Sequence, residues 1–312
     1  MKIAFFGTGD FSKNILKGIL EKSDIEVKLV VSQPDKPVGR KHILEPTQVK
    51  VLAQENNIKV LQPEILKNNT EFFDVLNKLE LDFIVVVAYG KIVPKEVLES
   101  PKYGCINIHG SILPMYRGAS PIQEAIKNGD KETGLTIMYM SKGMDEGDIL
   151  AIEKVIVDKL DTTEDIFKKF ELIGPDLLIH TLKGILDGTI EGKKQNDDMA
   201  TFCRKISKED GQIDFESESG ECIFNKFRAY SVWPGIYSYF KDKKFDIEDC
   251  ELIDFEGSEK AGKVLKLNKK QIGVVCNNKK LLLFKQVKLE GKKSMDILSF
   301  ANGNKDFLEY NF

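Results

Sequence analysis

An asparagine and a histidine two residues apart, Asn107 and His109, lie in the run Gly104-Cys105-Ile106-Asn107-Ile108-His109-Gly110, where apolar and polar residues alternate. Alternation predicts a short strand, and its period of two puts both polar side chains on one face. Gly110 and Pro114 end that strand, so the pair sits near its carboxyl end, where binding crevices open in α/β sheets. A carboxamide beside an imidazole can hold and protonate an oxygen that gains charge during a reaction. The same two residues can equally tie down a loop. A second candidate is Ser141–Asp148, in which Gly143 and Gly147 bracket Asp145 and allow a sharp bend that aims a carboxylate. A third is Gln33–His42, where Pro34, Pro37 and Gly39 argue against regular structure and Lys36, Arg40 and Lys41 cluster. A basic loop at the carboxyl end of a strand is placed to clasp an anion.

The elements that must position these residues follow from periodicity. Strands are predicted over Lys2–Phe6, Glu26–Ser32 and Lys59–Leu61. The unbroken apolar run Leu81–Ala88 marks a central parallel strand buried on both faces, ending at Tyr89-Gly90. Helices are expected after Ser12 to about Lys22, over Thr47–Asn56 with Thr47 as N-cap, and from Pro121 to about Asn128. Leu135–Met140, an edge strand at Ile149–Val157 and a long helix over Thr163–Asp187 complete a doubly wound, Rossmann-like α/β domain. The turn Gly7-Thr8-Gly9 has Ser12 where a third glycine belongs, so the dinucleotide fingerprint is incomplete. After residue 205 a helix over Gly220–Tyr230 precedes short strands at Ile236–Phe240, Phe245–Phe255, Gly262–Leu267, Gln271–Cys276 and Lys280–Leu289. That spacing predicts a small OB-like β-barrel. The expected organisation is thus 1–189, a linker at 190–205, and 206–312.

Composition narrows the function classes. The 312 residues carry a net charge of −3, and no apolar run reaches the ~18 residues of a membrane span. No secretory leader is evident, five scattered cysteines form no C-x-x-C pair, and three isolated histidines suggest no metal cluster. A reducing cytoplasm, no metal and no membrane association are the expectations. The one asymmetry is Lys260–Lys293, with eleven lysines against a single acid, Glu290, a local balance of +10. Such a run is either a set of solvated strand faces or a surface for polyphosphate.

The stretch Asn107-Ile108-His109-Gly110-Ser111-Ile112-Leu113-Pro114-Met115-Tyr116-Arg117-Gly118-Ala119-Ser120-Pro121-Ile122-Gln123 resembles the signature of the 10-formyltetrahydrofolate-dependent formyltransferases. Gln33–Arg40, Val85–Gly90, Met144–Asp148 and the β-rich tail extend the resemblance over nearly the whole chain. Ile112 stands where the family has leucine, and Met115 where a basic residue is common. The resemblance implies a catalytic trio of Asn107, His109 and Asp145, with Asp145 favouring the charged imidazole. It implies a folate co-substrate, 10-formyltetrahydrofolate, lying against Ala88, Tyr89 and Gly90 and against Ser111, Ile112, Leu113 and Pro114. It also implies kinship with the branch that formylates the α-amino group of initiator methionyl-tRNA. There Lys36, Arg40 and Lys41 would meet the acceptor stem, and the barrel, through Lys269, Lys270, Lys279 and Lys280, its phosphodiester backbone. A monomer is expected. Two other readings stay open, a sugar-nucleotide N-formyltransferase and a non-catalytic RNA-binding protein on this scaffold.

Overall fold

The computed structural model describes residues 1–38 and 43–312. The chain divides into two compact units. The first comprises 1–121, 132–156 and 167–203, and the second 122–131, 157–166 and 204–312.

The first unit is built on a seven-stranded sheet. Its order is Ile149–Ile156, Glu132–Tyr139, Cys105–His109, Phe83–Val87, Lys2–Gly7, Glu26–Val31, Val60–Leu61. The five strands from Cys105–His109 to Val60–Leu61 are parallel, and Glu132–Tyr139 joins Cys105–His109 antiparallel. Every residue of Phe83–Val87 is buried, as its continuous apolar run requires. Alternate residues feed the two faces. Ala4, Phe6, Ile84, Val86 and Cys105 pack with Phe72, Leu76 and Tyr89 on one side. The helix Asp10–Lys22 packs against the chain around Pro175, where a side chain on Gly18 would meet the proline ring at 2.3 Å. Phe72 and Leu76 come from a helix, Thr70–Lys78, that the sequence analysis did not single out.

Two expectations are corrected here. Lys36–Val38 is not irregular but pairs antiparallel with Ile43–Glu45, since a two-stranded ribbon has open edges at which Pro37 needs no donor. Arg40 and Lys41, assigned to the same loop, lie outside the described residues. The segment 190–205 is no free tether. Lys193 bridges Ile149 through two backbone hydrogen bonds of 2.8 Å, and Phe202–Cys203 pairs parallel with Arg117–Gly118. Its polar residues read as solvated, yet several spend their hydrogen bonds inside the first unit.

The second unit is an antiparallel sheet in the order Ile236–Phe240, Lys243–Asp254, Lys280–Leu289, Ile272–Val275, Val264–Lys266. The long second strand is bulged on both sides of Asp249, which bends it. The sheet closes over a phenylalanine cluster in which Phe245 lies 5.1 Å from Phe300, 5.7 Å from Phe307 and 5.5 Å from Phe312. Phe300 and Phe307 come from a C-terminal helix, Ile297–Gly303, and a helical turn, Lys305–Glu309, beyond the expected strands.

Candidate active site

Cys105–His109 ends at the carboxyl edge of the sheet, with Asn107 and His109 on one face and across from Met138 and Thr136 of the neighbouring strand. Cys105, further back on that face, is in the core. Asn107 is half-buried, and its carboxamide makes no hydrogen bond to any described residue. His109 is 5% exposed. Its Nε2 lies 2.9 Å from the Tyr116 carbonyl oxygen, which can only accept, so Nε2 carries a proton. The other nitrogen, Nδ1, faces Asp145 Oδ2 at 3.6 Å. At 3.6 Å the contact is longer than a hydrogen bond. His109 Nδ1 is therefore the ring atom open to a third group.

Asp145 is held from several directions. Its Oδ2 accepts from the Gly118 N–H at 2.8 Å, and its backbone sits at φ +52°, in the left-handed region that aspartate enters more readily than most non-glycine residues. Gln195 Nε2 donates to the Asp145 carbonyl at 2.8 Å and to the Gly147 carbonyl at 2.7 Å. Gln195 Oε1 accepts from Arg117 Nε at 3.0 Å, and the buried Arg117 guanidinium also pairs with Asp197 at 2.7 Å. Gly118, at φ +123°, lies so close to the chain that a Cβ would stand 2.1 Å from the Cys203 carbonyl oxygen. Gln195 escaped the sequence analysis because nothing local marks an amide fifty residues from the loop it serves, and Arg117, although inside the resembling stretch, was given no role.

The segments expected to line a folate divide by exposure. Ala88 and Gly90 are exposed and both take positive φ, while Ile112 and Pro114 are half-buried. Tyr89 is turned into the core, where burial pushes its hydroxyl up to about 12, and its carbonyl is taken by Thr8 Oγ1 and Gln33 Nε2. Ser111 and Leu113 are buried too. The Ser111 hydroxyl donates to the Met115 carbonyl, and Thr136 Oγ1 bridges the Ser111 carbonyl and the Leu113 N–H. These three hold the backbone, and their neighbours present surface. A cavity of about 510 Å³ lies alongside the Asp145 loop, lined by Met140, Ser141, Glu146, Gly147, Gln195 and Asp197 among others. Asn107 and His109 do not line it, and the polar constellation rather than the volume locates the chemistry. Among the described residues no group of three or more His, Cys, Asp or Glu could hold a metal ion. No described helix is long and apolar enough to cross a membrane.

The cationic candidates belong to different elements. Lys36 is exposed, with its ammonium on Gln33 Oε1 at 2.9 Å. Lys269 and Lys270 occupy the turn before Ile272–Val275, Lys279 the turn after it, and Lys280 opens the strand Lys280–Leu289. Antiparallel pairing puts those turns at opposite ends of that strand, so the lysine run is divided. Lys269, Lys270 and Lys279 are exposed, whereas Lys280 bonds Asp254 and lies 3.5 Å from Glu221. Its bond to Asp254 raises its pKa.

Residues 1–182 match the formyl transferase family, and residues 205–305 match the formyl transferase C-terminal domain. The fold is that of a formyl-transferring enzyme, and the chain belongs to this family. It is 45% identical over 308 residues to the methionyl-tRNA formyltransferase of Caldicellulosiruptor saccharolyticus, covering 98% of this chain and 97% of that protein. It is 41% identical over 304 residues to the methionyl-tRNA formyltransferase of Caldanaerobacter subterraneus, covering 97% of each. Among solved structures, the N-formyltransferase from Helicobacter canadensis, in complex with folinic acid and dTDP-3-aminofucose, superposes with a TM-score of 0.67 at 20% identity. That match covers 91% of this chain and 98% of the other.

Proposed function

We infer that the protein transfers the formyl group of 10-formyltetrahydrofolate to the α-amino group of initiator methionyl-tRNA, with Asn107, His109 and Asp145 as the reacting residues. The observation that carries this reading is the Asn107–His109–Asp145 constellation in a chain that is 45% identical, nearly end to end, to a methionyl-tRNA formyltransferase. The folate supplies a formyl carbon whose bond to nitrogen can be exchanged for a bond to the incoming amine. Exposed backbone at Ala88 and Gly90, the half-buried Ile112 and Pro114, and the unpartnered Asn107 carboxamide suit such a donor.

As the amine nitrogen bonds to the formyl carbon, the carbonyl oxygen gains charge, and Asn107 Nδ2–H donates to it. A donor of this kind is typically worth about 10²–10³ in rate. The amine becomes an ammonium and gives its proton to Asp145, directly or through one water. His109 Nδ1–H stabilises the same oxygen and then protonates the folate nitrogen as its bond to carbon breaks. One proton enters the pair at Asp145 and one leaves at His109, so the site is restored by transfer across the 3.6 Å gap.

Lys36, Arg40 and Lys41 meet the acceptor end of the RNA, and Lys269, Lys270 and Lys279 supply sequence-tolerant contacts to its backbone. Lys280, already paired, contributes little. The enzyme acts as a monomer in the cytoplasm. The test is transfer from 10-formyltetrahydrofolate with initiator methionyl-tRNA and an amino-sugar nucleotide as competing acceptors. Formylmethionyl product on the RNA is expected. Formylated sugar alone overturns the acceptor assignment, and no product with RNA still bound overturns the catalytic one.

A further inference from the structure

We propose that residues 195–203 form a strap that positions the His109–Asp145 pair, with Gln195 as the principal positioning residue. The proposal rests on the reading of His109 and Asp145 as reacting groups. Both N–H bonds of the Gln195 carboxamide go to carbonyls that flank the Asp145 side chain, its own and that of Gly147. They hold that turn in the positive-φ conformation from which the carboxylate points at the imidazole. Gln195 Oε1 is fixed in turn by Arg117, a buried cation whose other partner is Asp197, so Arg117 is held by two strap residues.

The strap reaches His109 through residues 116–119. Thr201 Oγ1 accepts from the Tyr116 N–H at 2.8 Å, and the Thr201 carbonyl accepts from the Arg117 N–H at 2.8 Å. The Cys203 carbonyl accepts from Ala119 at 3.1 Å. These bonds fix residues 116–119, which supply both the Tyr116 carbonyl on His109 Nε2 and the Gly118 N–H on Asp145 Oδ2. Imidazole and carboxylate are thus each referred to the same strap. A shift of the strap changes the Nδ1···Oδ2 separation, the one contact at the site that is not yet a hydrogen bond.

The test compares Gln195→Leu, which loses all three bonds, with Gln195→Glu, which can still accept from Arg117 Nε but cannot donate to the two carbonyls. Both are expected to lower kcat about 10–100-fold, as misplacement of reacting groups by about 1 Å does. KM for each substrate and the melting temperature should change little. The pH profile of kcat and the His109 imidazole NMR signals should move. Thr201→Val should act in the same direction and Thr201→Ser should restore activity. Wild-type kcat in both Gln195 variants overturns the proposal. So does a loss of kcat that tracks a fall in melting temperature with an unmoved pH profile, which is plain structural support. If His109→Ala and Asp145→Asn are fully active, the underlying reading fails. If they are inactive while Gln195→Leu is normal, the strap alone fails.

Discussion

On the proposed function, the two units carry it in opposite ways. In the first, polar groups converge: Asn107 and His109 lie at the end of one strand, and the loop after the neighbouring strand brings the Asp145 carboxylate to 3.6 Å from the imidazole, its turn fixed by bonds from distant segments. In the second, charge is spread over turns at opposite ends of a strand, and its most constrained member, Lys280, is neutralised by Asp254 and Glu221. Convergence makes each residue decisive, because a transition state senses displacements of an ångström. Dispersion makes each residue replaceable, because a polyanion senses the number of cations more than their places.

Single substitutions should break this contrast if it is false. His109→Ala and Asp145→Asn are expected to lower kcat by about 10²–10⁴, the range for general acid–base groups, with RNA affinity by filter binding unchanged. Equal loss of affinity would give these residues a structural role. Asn107→Ala should follow, at about 10²–10³ in kcat, since it removes one donor and leaves proton transfer intact. A rise in KM at constant kcat would make it a binding residue instead.

In the second unit the effects should be smaller and additive. Replacing Lys269 and Lys270 by alanine should lower RNA affinity and reduce the slope of log affinity against log salt by about one for each lysine–phosphate pair removed. Lys280→Ala should leave that slope unchanged, and a drop equal to that at Lys269 would mean that its ion pairs open on binding. The smallest effect is none: burial pushes the Cys105 and Cys276 thiols up to about 12, so neither should react with iodoacetamide at pH 8 in the folded protein. Labelling of Cys105 at a rate matching the half-buried Cys222, read by mass spectrometry, would mean that the first unit opens at Cys105–His109.

Much of the frame was legible from the chain alone. Buried strands such as Phe83–Val87 announce themselves by unbroken apolar runs. Ile236–Phe240 and Lys280–Leu289 fall where the spacing of turns and short apolar runs puts them. The Asn107–His109 spacing likewise fixes a shared face, because the pleat repeats every two residues. These are local signals. The Lys36–Val38 ribbon and the Thr70–Lys78 helix escaped them, the first hidden by prolines, the second although Phe72 and Leu76 recur at helical spacing behind the Asn69 cap.

What the sequence determined by itself is which residue types stand at the end of which strand. The tertiary structure decided which of them remain available. Tyr89, Ser111 and Leu113 belong to the resembling motif yet face inward, and only packing reveals that their neighbours Ala88, Gly90, Ile112 and Pro114 keep the surface. Gln195 looks like part of a polar linker until the fold brings it against Asp145, fifty residues earlier, and Lys280 looks like free charge until Asp254 is beside it. Hydrogen-bond partners so far apart in the chain leave no period or turn signature, because their meeting depends on how the whole sheet stacks rather than on any residue's neighbours.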